Sequence, residues 1–148
     1  MTDSPLSPNQ TRSLRCLAEM MIPASTAYNV PSAADDAIFA DILRSFGRDA
    51  EHVQAAIRTL DALAGGAFAE LPPARREAVA AQWRQTAGTP QRLLSRIILQ
   101  CYYRDDRVMR SLDMEVRPPF PKGFDVPQGD WSVLDPVRAR APFYRKVP

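Results

Sequence analysis

Half of the prolines in this 148-residue chain, seven of fourteen, fall within its last thirty-six residues. Proline fixes φ and offers no amide donor, so residues 113–148 are expected to be extended or turned. Before Asp113 the pattern is the opposite: apolar residues recur at helical spacing from the first turns onward. The contrast predicts an all-α protein, a compact bundle of about five to six helices over residues 1–112 followed by a long extended proline-rich tail over 113–148.

Ser7-Pro8-Asn9-Gln10 reads as a helix start, with a serine cap, proline at the first helical position and glutamine three residues on. Leu14, Leu17, Ala18 and Met21 make the first apolar stripe, and Pro23 stops it. Ser32, with Asp35 three residues later, is expected to cap a second helix carrying Ile38, Phe39, Ile42, Leu43 and Phe46, ended by Gly47. A third helix from about Asp49 carries Val53, Ala56, Ile57, Leu60 and Leu63 up to Gly65-Gly66. The fourth starts near Pro72-Pro73 with only Val79 and Trp83 as a stripe and reads as peripheral. The fifth opens at Thr89-Pro90, and Leu93, Leu94, Ile97, Ile98, Leu99, Cys101 and Tyr102 give it a face so broad that it is expected at the centre. A short sixth, about Asp106 to Leu112, closes the bundle. No run alternates in the manner of a strand.

The tail is not composed like a disordered one. Phe120, Phe124, Trp131, Phe143 and Tyr144 are large apolar surfaces that are costly to leave in water. Extended, the segment reaches on the order of 110 Å, far beyond the radius of the preceding bundle. It can therefore wrap its own helices or leave them for a neighbour, and long irregular segments in compact domains tend to be functional. The contact surface expected from these residues comprises Tyr102, Tyr103, Phe120, Pro121, Phe124, Trp131, Phe143 and Tyr144, with Arg138 and Arg140 as flanking charges.

Charge excludes several classes. Nineteen basic and seventeen acidic side chains are interspersed, leaving a net charge of +2 and no single-sign stripe for a nucleic acid. No stretch approaches the length of a bilayer-spanning helix, so no direct membrane insertion is expected. Residues 1–15 hold no signal-peptide run, which points to the cytoplasm, or to the periplasm if a partner carries the chain across. Cys16 and Cys101 lack metal or redox spacing and read as small buried side chains, with a disulfide left open.

The chemistry available to the chain itself is thin. His52 is the single histidine, without a second ligand at helical spacing. Asp35-Asp36 and Asp105-Asp106 sit where negative charge favours a helix start, which accounts for them without catalysis. No glycine-rich phosphate loop and no nucleophile elbow occurs, and a nucleotide cofactor would need an α/β fold that the pattern lacks. No catalytic, metal or cofactor-binding residue is therefore assigned. Tyr102-Tyr103, before the Arg104-Asp105-Asp106 turn, stand about 100° apart on their helix, so one ring can be buried while the other serves an interface.

Three stretches taken in order resemble the gluconate 2-dehydrogenase subunit 3 family, small subunits of bacterial flavoprotein dehydrogenases. Leu17-Ala18-Glu19-Met20-Met21-Ile22-Pro23-Ala24 is similar to that family's Leu-Ala-x-x-(Leu/Ile)-Ile-Pro-Ala helix end. Tyr102-Tyr103-Arg104-Asp105 is similar to its Tyr-Tyr-x-(Asp/Ser) turn, and Pro118-Pro119-Phe120-Pro121-Lys122-Gly123-Phe124 to its Pro-x-Gly-(Tyr/Phe) tail. The resemblance implies a non-catalytic small subunit, without a cofactor of its own, that binds and stabilises a large FAD-containing catalytic subunit of the glucose-methanol-choline type. It also implies a cytochrome c subunit as electron acceptor in some complexes. Many family members begin with a twin-arginine leader and residues 1–15 show no such pattern, so the expectation is a cytoplasmic complex, a partner that carries the export signal, or a leader that lies outside this sequence. Two other classes stay open on the residues alone: a free-standing scaffold or regulatory module, and a small helical enzyme built around Tyr102, Asp105 and Arg107.

Overall fold

A computed structural model describes residues 5–86, 88–117, 123 and 125–141. Contacts divide the chain into two units, Met1–Val116 and Arg117–Pro148. Seven α-helices and no strand occur among the described residues, so the protein is all-helical there. An isolated bridge pairs Ser25 with Val30.

In the first unit, α1 (Pro8–Met21) starts on the capping box expected of it. The Ser7 hydroxyl accepts from the Gln10 amide at 3.3 Å, and the Gln10 side chain accepts from the Ser7 amide at 3.0 Å. The start of α2 (Asp36–Arg44) differs from the sequence expectation. Its cap is Asp35, whose carboxylate accepts from the amides of Ala37 and Ile38, whereas the Ser32 hydroxyl accepts from Ala34 in the preceding turn. A carboxylate at this position meets both the free amides and the positive end of the helix dipole, so it wins over the serine.

Next comes α3 (Ala50–Ala64), which ends where Gly65 adopts φ 74°, a left-handed conformation that suits glycine. There the Gly66 amide reaches back to the Asp61 carbonyl at 3.0 Å. In α4 (Pro73–Gln85) the sparse stripe is deceptive. Trp83 is only 2% exposed, and its indole N–H donates to the Ala56 carbonyl of α3 at 2.9 Å. One large residue thus anchors a helix whose remaining surface is mostly polar.

The centre belongs to α3 rather than to α5 (Thr89–Tyr103), for α3 packs against α1, α4 and α5. Leu94, Ile97, Ile98, Cys101 and Tyr102 of α5 are buried, but Leu99 is 41% exposed and Leu93 half-buried. The broad stripe of α5 therefore wraps past the core onto the surface. The last helix of the unit is α6 (Asp106–Ser111). A polar anchor ties the bundle's first half together: the Asp61 carboxylate accepts from the fully buried Ser13 hydroxyl at 2.7 Å and from the Phe68 amide at 3.0 Å.

In the second unit, residues 131–138 are helical where the sequence suggests extended chain. Trp131–Leu134 form a 3-10 turn that runs into α7 (Asp135–Arg138). Asp130 caps the turn through the Ser132 amide at 3.0 Å, and Pro136 occupies a first-turn position where its missing amide costs nothing. Among the described residues no helix is long and apolar enough to cross a membrane. Cys16 and Cys101 are both free, the first half-buried and the second buried.

Candidate functional site

The turn between α5 and α6 gathers the residues that the sequence singles out. Tyr102 is 4% exposed, and its hydroxyl donates to the Pro31 carbonyl at 3.3 Å. Burial holds the phenol above its usual titration range. Tyr103 points outward, 53% exposed, with its ring edge-to-face against Tyr102 at 5.3 Å. The helical offset between neighbours thus separates the pair into a core residue and a surface residue.

Below the tyrosines, Arg107 forms the densest polar contact of the unit. Its guanidinium donates to both Asp35 oxygens at 2.7 and 3.1 Å and to both Asp105 oxygens at 3.0 Å. These two carboxylates are the caps of α2 and α6, so one side chain locks two helix starts together. Hydrogen bonds from Arg107 hold both carboxyls below the usual carboxylate range, and the same bonds raise the arginine. Arg104 makes a second link from the end of α5 to α2, donating to Asp41 at 2.6 Å and to the Ser45 hydroxyl at 2.6 Å. That bond lowers Asp41 in turn. A third comes from α1: Arg15 pairs with Asp36 at 2.7 Å and lies over the Phe39 ring at 4.4 Å.

Between these links lies an open depression of about 340 Å³, lined by Asp41, Arg44, Arg104, Asp105 and Arg107 among others. Tyr102 does not line it. The carboxylates are held ionised by arginines, and burial raises the neighbouring Cys101 thiol. Arg104 and Arg107 in this cluster are engaged in joining helices, whereas Arg44 pairs with Asp41 on its own helix. His52 is exposed on α3, and among the described residues no three metal-binding side chains stand together.

The other candidate contact residues lie in the second unit. Trp131 is 60% exposed, with its indole N–H donating to Gln128 at 3.3 Å. Arg138 pairs with Asp135 at 3.2 Å, and Arg140 is exposed. Phe120, Pro121, Phe124, Phe143 and Tyr144 lie outside the described residues. Sequence reasoning missed the partners of the turn, Asp35 and Asp41, since nothing local signals pairings across 72 and 63 positions. It also missed a surface on α4 and α5 whose one sequence signal is the excess width of the α5 stripe.

No family model matches the chain, and neither a curated protein nor a solved structure matches it significantly.

Proposed function

We propose that the chain is a non-catalytic small subunit that binds and stabilises a large FAD-dependent, glucose-methanol-choline-type dehydrogenase acting on a sugar or alcohol. Two lines support this reading. The first is the order and spacing of the Leu17–Ala24, Tyr102–Asp105 and Pro118–Phe124 stretches, which resemble the gluconate 2-dehydrogenase subunit 3 family. The second carries the binding role: the described part of the C-terminal unit leaves its large apolar side chains uncovered. Val126, Trp131, Val133 and Val137 are all more than half exposed. Large apolar side chains left this exposed are what a partner surface would cover.

In this reading the flavin and the reacting groups belong to the partner, and the compartment is the partner's. The test is co-expression of the full chain with the flavoprotein encoded beside it, followed by purification through a tag on this chain. A stoichiometric complex with a flavin absorption band is the expected result, with Trp131→Ala weakening it about thirtyfold. Two proteins that purify apart, each folded, would sink the proposal. Capture of a protein that is not an oxidoreductase would favour the scaffold reading instead.

A further inference from the structure

α4 and α5 both pack on α3, and within the helical unit the furrow between their outer faces is open. Two depressions, of about 590 and 380 Å³, share Trp83, Arg84 and Ser95 as lining residues and so form one trough across the helical unit. It runs from Met20 and Met21 of α1, past Ala81, to Leu99 of α5. Its walls are two stripes at helical spacing. Glu77, Ala80, Ala81 and Arg84 line it from α4, and Arg92, Ser95, Arg96 and Leu99 from α5.

We propose that this trough is a docking site for an acidic amphipathic helix of a second protein. Three features select that occupant. The floor is apolar and adaptable, because methionine repacks easily against different side chains, and Leu99 offers an exposed anchor. The rim is basic: Arg84, Arg92 and Arg96 stand along it against Glu77. Among the described residues the Arg84 guanidinium has no hydrogen-bond or ion-pair partner, and Arg96 reaches Asp49 only at 3.8 Å. Glutamates and aspartates flanking an apolar stripe would complement this rim and be steered by it.

The third feature is the backbone. Both walls are helices, whose main-chain groups are satisfied internally, and among the described residues no strand edge lines the trough. An extended peptide laid in it would leave its own amides and carbonyls without partners. A helix brings its backbone already paired and needs only a side-chain stripe to fit, with anchors at i, i+3, i+4 and i+7. The inference does not depend on the partner being a flavoprotein.

The probe is a stapled peptide of about 18 residues, long enough to hold a helix, with leucine on one face and glutamate on the other. Its controls are a twin with lysine for glutamate and a scrambled peptide without the stripe. With the full chain, the acidic peptide is expected to bind at least about tenfold more tightly than its lysine twin, with amide shifts centred on Ala81, Ser95 and Leu99. The double variant Arg84→Glu/Arg92→Glu is expected to invert the preference. Leu99→Asp should weaken both peptides, and since all three positions are exposed, circular dichroism should show an intact fold. Equal binding of the twins, indifference to Leu99→Asp, or no binding by about 1 mM overturns the proposal. A dimer of the native chain that Leu99→Asp dissociates would assign the trough to a second copy, and would overturn it equally.

Discussion

The chain has two tryptophans, and they show how differently its two regions use large apolar side chains. Trp83 fills the core of the helical unit and gives its N–H to the backbone of another helix, 27 positions away. Trp131 keeps most of its surface exposed and gives its N–H to Gln128, three positions earlier in the chain. One spends its apolar area on the fold; the other holds it available. The same side chain is thus buried with a long-range hydrogen bond in one region and exposed with a local one in the other.

The sharpest break of this comparison is Trp83→Ala, expected to cost about 3–5 kcal/mol in urea or thermal unfolding. A loss under about 1 kcal/mol would mean that α4 is peripheral after all. Next is Asp61→Ala, which strands the buried Ser13 hydroxyl and the Phe68 amide; about 1–3 kcal/mol should be lost, and Asp61→Asn should recover part of it.

Arg107→Gln is expected to be milder, about 1 kcal/mol at neutral pH, because the guanidinium is 45% exposed and solvent screens the pairs. Its pH dependence is more telling. Asp35 and Asp105 have lowered values in the folded state, so their contribution is fully present above the unfolded carboxylate pKa and is lost as pH falls below about 4. The variant should therefore show a flatter acid limb of stability than the native chain. Parallel limbs would show that the clamp does not couple to protonation.

The smallest effect is expected from Trp131→Ala in the isolated chain, within about 0.5 kcal/mol by the same unfolding assay. A larger loss would make Trp131 a structural residue and erase the contrast with Trp83.

Local signals in the sequence carry most of the helix boundaries. Ser7 and Gln10 state the start of α1, Gly65 the end of α3, and Pro73 and Pro90 the first turns of α4 and α5, because each acts through neighbours within four positions. Signals fail where the deciding partner is remote. Asp35 displaces Ser32 as a cap while also meeting Arg107, and Trp83 finds its acceptor on another helix. The width of the α5 stripe misleads for a different reason. Apolar count measures how much of a helix wants to leave water, without saying whether its own chain supplies the cover, and Leu99 is the residue left outside.

The Arg107 clamp also bears on how fast the helical unit opens. It joins α2 to the start of α6 across 72 positions, whereas the α3–α4 contact closes much shorter loops. Loop closure over long separations is entropically costly and tends to come after the folding nucleus has formed. Removing Arg107 should then leave the refolding rate nearly unchanged and speed unfolding, so the effect falls on one arm of the chevron in stopped-flow. The clamp would in that case act as a lock on a structure already assembled, lengthening the lifetime of the folded state without guiding the chain toward it.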